Sequence, residues 1–259
     1  MTRGGPLGKA DIHIHTAAGD GMAEIDALLD YVEASTDLSV IAITDHDSLK
    51  GAWQARERWA QGRYSFEVIV GAEMTALEGH ILALFLEEPV PSLKRAEEVL
   101  EAIHRQGGLA IIPHPLSWLT RSLGRRTIER VLRNGREGVH LDGLETANQS
   151  PGARVGLRKA QQLNRERYHL AEVGGSDAHF LAAVGSAFTE FPGRTAQDLR
   201  QAILARQTRG VNGRHPTLRE IGLGQLLRQT WRGLTVTPRE LGWGATAYSF
   251  IRRIFPFIR

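Results

Sequence analysis

The sequence predicts an α/β fold in which a parallel sheet closes into a barrel. Short apolar runs rich in Ile, Val and Leu alternate with longer stretches that carry apolar residues at helical spacing. This alternation implies parallel strands joined by helical crossovers. The chain has 259 residues, a length that one α/β barrel commonly fills as a single unit.

Each predicted strand is an apolar run with the length of a buried strand. The predicted strands are Ala10–His15, Leu38–Ile43, Phe66–Val70, His80–Leu86, Leu109–Ile112, Gly143–Thr146 and His169–Val173. The amphipathic stretches between and after them predict helices at Ala23–Ala34, Leu49–Trp59, Leu93–Arg105, Thr127–Leu132, Val155–Leu163 and Thr195–Ala205. We expect Asp47 or Ser48 to cap the second helix and Thr195 the last, because short polar side chains accept hydrogen bonds from the free N–H groups of a first turn.

The composition limits the chemistry that the chain can perform. Its hydrophobic fraction of 42% and charged fraction of 24% are those of a globular protein. The chain has no cysteine, which excludes disulfides, thiolate metal sites and a cysteine nucleophile. Imidazole and carboxylate ligands remain, and they suit zinc, manganese or iron. No apolar run has the length of a signal peptide or a membrane span, which favours a cytoplasmic protein.

A change in composition predicts two regions, a barrel over residues 1–215 and a basic, aromatic C-terminal extension over residues 216–259. Residues 217–259 contain seven Arg, two Glu and no Lys, so they carry a charge of +5 and leave −2 on the rest of the chain. The basic pI therefore reflects the extension and is weak support for nucleic-acid binding.

The extension has two interpretations. Its aromatic and basic residues could lie on a membrane surface, or it could pack on the barrel or on a partner subunit. Its several glycines argue against one continuous amphipathic helix. We therefore favour packing or self-association over membrane contact.

Histidines and carboxylates gather at the ends of the predicted strands. Asp11, His13 and His15 share one face of the first strand, because side chains alternate along a strand. Asp20 follows between two glycines, which let the backbone bring a carboxylate close. Further candidates, in chain order, are Asp45, His46, Glu73, His80, His114, Asp177 and His179.

This convergence predicts a metal centre. The carboxyl ends of strands are where active sites form in parallel α/β folds, and buried carboxylates are costly unless they are paired or bound to metal. Six of the ten histidines fall in these motifs. The other four are interpreted as hydrogen-bonded structural residues: His104, His140, His169 and His215.

These motifs resemble those of the PHP (polymerase and histidinol phosphatase) superfamily, in particular its stand-alone metal-dependent phosphoesterases. The matches appear in family order over residues 9 to about 210, and the extension lies outside them. They are Asp11-Ile-His13-Ile-His15, Thr44-Asp45-His46-Asp47, Gly71-Ala-Glu73, Pro113-His114-Pro115 and Gly175-Ser-Asp177-Ala-His179. The resemblance implies a distorted (β/α)7 barrel with two or three divalent metal ions at the carboxyl ends of its strands.

The resemblance also implies which residues hold each ion. His13, His15, Glu73 and Asp177 would hold the first. Asp20, His46 and His179 would hold the second. A third would be held by His80, His114 and Glu73, which would bridge two ions.

Two catalytic candidates lie beside these ligands. Asp45 either orients an imidazole or carries a proton, or it caps the following helix. Arg121, with Arg125 and Arg126, either clamps a phosphate or belongs to a solvated basic loop.

The predicted activity is hydrolysis of a small phosphomonoester or nucleotide by a metal-bridging hydroxide. The alternatives are 5'-3' exonuclease action on short oligonucleotides, histidinol-phosphate phosphatase activity and a non-catalytic metal-binding module. The complete ligand set argues against the non-catalytic module.

Overall fold

The computed structural model describes the backbone of residues 6–241 and the side chains of residues 6–236. The strands of this part are β1 Leu7–Ile14, β2 Val40–Ile43, β3 Glu67–Ala76, β4 Gly79–Leu84, β5 Leu109–Ile112, β6 Gly143–Ala147, β7 Ala171–Gly174, β8 Ala187–Pro192 and β9 Arg209–Asn212. The helices are α1 Ile25–Ser35, α2 Lys50–Gln61, α3 Ala96–Arg105, α4 Arg125–Leu132, α5 Arg154–Leu163, α6 Ala196–Leu204, α7 Leu218–Ile221 and α8 Leu223–Leu241.

The described strands form one sheet that curls into a nearly closed barrel. Their order is β7-β6-β5-β4-β3-β2-β1-β8-β9. Ile14 at the end of β1 also forms a parallel bridge with Ala178, just beyond β7, and the His15 amide donates to the Ala178 carbonyl at 2.9 Å. This bridge joins the two sides of the sheet at the carboxyl ends of β1 and β7. The predicted α/β barrel is thereby confirmed.

Two antiparallel insertions distort the barrel, and the expectation of a wholly parallel sheet is wrong at these places. β3 and β4 form a hairpin, and β4 is also antiparallel to β5. β8 runs antiparallel to β1, and β9 antiparallel to β8. The sequence interpretation ended the third strand at Val70, whereas β3 continues to Ala76 and places the polar Glu73 inside a strand.

Apolar side chains on both faces of the sheet are buried, which explains why the strands read as apolar runs. One cluster contains Ile41 and Ile43 and packs against helices α1 to α5. The alternate residues Val40 and Ala42 belong to a second cluster that contains Leu199 of α6. The core therefore supports the strand ends from both sides.

The cap predicted at Thr195 is confirmed, because its side chain accepts a hydrogen bond from the Asp198 amide at 3.0 Å. Of the two caps predicted for the second helix, Ser48 reaches the first turn: its hydroxyl accepts a hydrogen bond from the amide of Lys50, the first residue of α2, at 3.3 Å, although Leu49 directly precedes the helix. Asp47 instead accepts from the Thr75 amide at 2.7 Å and the Thr75 hydroxyl at 2.6 Å. The Asp47 carboxylate therefore binds Thr75 of β3 and not the first turn of α2.

The described part of the extension is helical. α8 is one helix of 19 residues that includes Gly224 and Gly233, so the argument from glycine content is wrong over Leu223–Leu241. One stripe of apolar side chains on α8 is exposed: Leu223, Leu227, Trp231 and Leu234. Residues 242–259 lie outside the described residues, as do the expectations that concern them. Within the described residues, no helix combines the length and the apolar character needed to cross a membrane.

His104 is a structural histidine, as its sequence context predicted. Its Nδ1 donates to the Gly138 carbonyl at 2.8 Å and its Nε2 to the Asp142 carboxylate at 2.9 Å. Both ring nitrogens therefore act as donors, which leaves no lone pair for a metal ion. Burial lowers the pKa of His104, but the hydrogen bond to Asp142 outweighs this effect and raises the pKa above its ordinary value.

We expect the His104 imidazolium to stabilise the fold most at low pH. Because the pKa is raised in the folded state, its contribution is fully present below the unfolded pKa of about 6.5 and is lost as the pH rises through the higher folded pKa. His104→Gln should therefore lower the free energy of unfolding by about 1 kcal/mol more at pH 6 than at pH 9. Urea unfolding at both pH values, with His169→Gln as an exposed control, measures this difference. An equal effect at both pH values would contradict the prediction.

Candidate metal centre

All nine predicted metal ligands meet at the carboxyl end of the barrel. β1 and the loop after it carry His13, His15 and Asp20, and the loop after β2 carries His46. The remaining ligands come from β3, β4 and the segments after β5 and β7: Glu73, His80, His114, Asp177 and His179. Every one of them belongs to a group whose ligand atoms lie within 4.8 Å of one another.

The first group contains four atoms that face a common point. His13 Nε2 lies 3.2 Å from Glu73 Oε2 and 3.6 Å from Asp177 Oδ1. His15 Nε2 lies 3.3 Å from the same Glu73 oxygen and 3.4 Å from the same Asp177 oxygen. Ligands bonded at about 2.1 Å to one ion lie roughly 3.0–3.4 Å apart. The four distances, 3.2–3.6 Å, lie at or slightly above the spacing of metal ligands, and the shortest of them is also a hydrogen bond.

The second group surrounds Asp20. Its Oδ2 lies 3.3 Å from His179 Nε2 and 4.0 Å from His46 Nε2. Its Oδ1 lies 3.6 Å from Nδ1 of His15. The resemblance assigned three residues to this ion, and the structure adds His15 at the boundary between the first and second groups.

The third group depends on the hairpin of β3 and β4. Its register pairs Thr75 with His80, which returns the chain to Glu73 after only seven residues. Glu73 Oε1 lies 2.7 Å from Nδ1 of His80 and 2.7 Å from Nε2 of His114. The two oxygens of Glu73 thus face different groups, which is the arrangement that a bridging carboxylate needs.

The donor atoms fit divalent metal ions. His15 Nδ1 and Nε2, Asp20 Oδ1 and His46 Nδ1 are buried and have no hydrogen-bond partner among the described residues. Burying polar atoms in this state costs about 1–3 kcal/mol each. Metal coordination would remove this cost, and the nitrogen and oxygen donors match zinc, manganese or iron.

Electrostatic effects within the centre are large. Burial raises the pKa of Glu73, but His80, His46 and His13 outweigh it and hold the pKa well below its ordinary value. Burial is the main cause that lowers the pKa of His80 below its ordinary value. Burial alone would lower the pKa of His15, yet Asp177 and the other carboxylates raise it to about 10. A metal ion at His15 would therefore compete with a proton for the ring.

Glu145 is a buried residue of the centre that the sequence interpretation missed. It lies on β6, where its Oε1 accepts a hydrogen bond from His13 Nδ1 at 2.8 Å. Its Oε2 accepts from the His114 amide at 2.5 Å and from Asn148 at 2.9 Å. The bond to His13 directs Nε2 toward the first group. The feature of the sequence that could have indicated this role is the presence of a carboxylate inside the apolar run Gly143–Thr146.

Other contacts orient the remaining ligands. His179 Nδ1 donates to the Asp177 carbonyl at 3.1 Å, and His114 Nδ1 lies 2.9 Å from the Ser122 hydroxyl. Asp177 has φ +54° and His114 has φ +29°, conformations that side chains rarely adopt and that functional sites often retain. Asp11 is not a ligand; its carboxylate accepts from the amides of Ser176 and Gly185 and joins β1 to the segments after β7.

Asp45 holds the loop that carries Asp20. One of its carboxylate oxygens accepts from the Thr16 amide at 2.6 Å and the other from the Thr16 hydroxyl at 2.6 Å. The cap interpretation is wrong, because both carboxylate oxygens of Asp45 bind Thr16 and neither accepts from an amide of α2. Burial raises the pKa of Asp45 above its ordinary value. Its catalytic role stays a prediction.

The three candidate clamp arginines have different surroundings. The Arg121 guanidinium donates to the Ala76 carbonyl at 3.1 Å, beside the turn between β3 and β4. The Arg121 carbonyl accepts from the His80 amide at 2.7 Å, so this residue borders the centre. Arg125 pairs with Glu129 at 2.8 Å on the exposed side of α4, and Arg126 is exposed. Of the three, Arg121 is the one whose contacts reach a strand that carries ligands.

Comparisons with known proteins agree with this geometry. A family model described as PHP-associated matches residues 157–208. Uncharacterized protein MJ1587 of Methanocaldococcus jannaschii is 34% identical over 151 residues, which span 54% of this chain and 81% of that protein. The 5'-3' exoribonuclease Rnm of Escherichia coli is 30% identical over 178 residues, which span 68% of this chain and 49% of that protein.

A solved structure shows the same fold. It is a two-domain protein of Bacteroides vulgatus that contains a predicted PHP-like metal-dependent phosphoesterase. It aligns with a TM-score of 0.64 at 20% identity, over 88% of this chain and 70% of that one. The fold and the cluster of histidines and carboxylates define an α/β barrel built around a candidate metal centre. The chain belongs to the PHP superfamily.

We expect Glu145→Gln to weaken metal binding. Glutamine has the shape of glutamate but lacks the charge that makes His13 a stronger ligand, and loss of such a partner typically costs about 10–100-fold in metal affinity. Competition of the protein with a chelator for Mn²⁺ or Zn²⁺ measures the change. Glu172→Gln on β7 is the matched control. Affinity within about twofold of the wild type would contradict the assigned role.

Asp45→Asn tests the loop of Asp20. Asparagine has one acceptor oxygen, so it can satisfy only one of the two Thr16 donors in the observed geometry. We expect turnover to fall by about tenfold or more as Asp20 loses its fixed position. Steady-state assays beside the exposed control Asp37→Asn measure the effect. Unchanged activity in Asp45→Asn would remove the functional role.

Proposed function

We propose that this protein is a metal-dependent phosphoesterase that hydrolyses a small phosphomonoester or a nucleotide. The observation that carries the proposal is the bridging position of Glu73, whose Oε2 faces the ligands His13 and His15 and whose Oε1 faces His80 and His114. This arrangement supports two or three adjacent divalent ions, a centre well suited to phosphate esters. Manganese, zinc and iron are the proposed metals.

The residues of the chain have separate tasks in this proposal. The ions would supply a water of lowered pKa and positive charge beside the phosphate. Glu145, Ser122 and the Asp177 carbonyl fix the orientations of three histidine ligands, so the ligand set needs little rearrangement. Asp45 holds the Asp20 loop and is the proposed proton carrier. Arg121 is proposed to contact the phosphate from the turn between β3 and β4.

A second candidate is 5'-3' exonuclease action on short oligonucleotides. The similarity to the E. coli exoribonuclease supports it, although this chain spans about half of that protein's length. The charge of −2 on residues 1–216 argues against contact with a long nucleic acid, whose binding needs several cationic side chains. Histidinol phosphate remains a further candidate substrate within the same activity.

A non-catalytic metal-binding module is the alternative from another class. The completeness of the ligand set and the buried contacts that orient it support catalysis instead. For partners, we propose a small phosphorylated substrate and self-association through the exposed apolar stripe of α8 rather than peripheral membrane contact. A cytoplasmic location is proposed from the sequence composition alone.

Hydrolysis of a substrate panel tests the proposed function. The panel contains a chromogenic phosphomonoester, its diester, mononucleotides, nucleoside bisphosphates, histidinol phosphate and a short oligonucleotide, each with Mn²⁺, Zn²⁺ or Fe²⁺ and with chelator. We expect metal-dependent turnover that falls by about 10³-fold or more in His13→Ala and Asp177→Ala, because each variant removes a ligand of the first ion. The exposed control is His169→Ala. No turnover of any compound by protein shown to hold metal would favour the non-catalytic module.

A further inference from the structure

The helix α8 lies outside the barrel yet contacts the loop that carries a metal ligand. Arg232 Nη2 donates to the carbonyls of Ala17 and Gly19, each at 2.6 Å. These carbonyls belong to the residues that lead into Asp20. The cationic side chain is therefore anchored beside the second group of ligands, more than 200 residues away along the chain.

The backbone of α8 also borders Asp20 directly. A Cβ atom at Gly233 would lie 3.6 Å from Asp20 Oδ2, the same oxygen that lies 3.3 Å from His179 Nε2. The absence of a side chain at Gly233 leaves space next to the metal ligands. α8 thus forms a wall of the second group and approaches it without filling it.

The bonds to Ala17 and Gly19 use both hydrogens of Arg232 Nη2, whereas the Nε hydrogen is unpaired. This Nε atom is buried, and no described carboxylate lies within ion-pair distance of it. A buried donor of a charged group without an acceptor is costly. Among the described residues, the ion pairs of the nine ligands join them to one another and to Glu145. The cation is therefore not needed to neutralise a ligand.

We propose that Arg232 binds the phosphate group of the substrate. The proposal rests on the proposed function and names a substrate contact that comes from the extension. A guanidinium binds phosphate through charge-assisted hydrogen bonds, and this one is fixed beside the loop of Asp20 with its Nε hydrogen unpaired.

The test compares two substitutions at Arg232 with a control on the same helix. Arg232→Met removes the charge and keeps a long side chain. Arg232→Lys keeps a positive charge but lacks the planar guanidinium group. Arg228→Met is the matched control, because Arg228 is an exposed cation one turn earlier on α8. The full chain loaded with Mn²⁺ is titrated with inorganic phosphate by calorimetry. Metal content and the kcat and KM of the best substrate are measured in parallel.

We expect Arg232→Met to weaken phosphate binding by about tenfold or more, because a charge-assisted contact to phosphate is lost. Its KM should rise by a similar factor, with metal content and kcat close to those of the wild type. Arg232→Lys should lie between, and Arg228→Met should match the wild type. Added guanidinium should restore part of the phosphate affinity of Arg232→Met.

Wild-type phosphate affinity in Arg232→Met would overturn the proposal. Loss of metal with an unchanged KM would also overturn it, because Arg232 would then only hold the Asp20 loop. If the wild-type protein binds phosphate but hydrolyses no ester, the proposed function is contradicted. The phosphate affinities of the wild type and Arg232→Met then still decide whether Arg232 contacts phosphate. If Arg232→Met fails to fold, the phosphate affinity of Arg232→Lys is compared with that of the wild type instead. Equal affinities would reject the contact between Arg232 and phosphate.

Discussion

The structure depends on one buried carboxylate, that of Glu73. Burying this charge in a protein interior is unfavourable, and the surrounding imidazoles of His13, His80 and His114 compensate for it. Each of these histidines comes from a different strand or strand end. The barrel must therefore bring several distant segments to one point before the charge is stabilised. This requirement links the fold to the site, because the interactions that close the barrel also assemble the ligands.

The departure from a regular barrel serves the same end. A parallel strand after β3 would follow a helical crossover, and its first residue would lie at the far end of the sheet. The hairpin instead returns immediately and places His80 opposite Thr75, two residues from Glu73. β8 and β9 extend the other edge next to β1. The hairpin thus adds one ligand, His80, that a parallel strand would have placed at the other end of the sheet.

Much of the site was predictable because its chemistry leaves local traces. The pair His13 and His15 shows the period of a strand, and polar residues directly after apolar runs mark strand ends. Glu145 was missed because its partner His13 is 132 residues away and its own run reads as an apolar strand. The hairpin was missed for a related reason, since Glu73 looked like a strand end. The contact between Arg232 and the Asp20 loop joins two loosely patterned segments, and no periodicity or spacing records it.

Four ligands each belong to two of the candidate groups, which makes the groups interdependent: His13, His15, His46 and Glu73. An ion bound at one position would immobilise a side chain that the next position also uses, while its charge would repel the next ion. The loading of several ions would therefore be linked, and their binding free energies would not simply add. A substitution at a residue that belongs to one group, such as His179, would affect metal binding at that group alone. A change at any of the four shared residues affects two candidate groups at once, so these positions have less freedom to diverge during evolution than a residue of a single group.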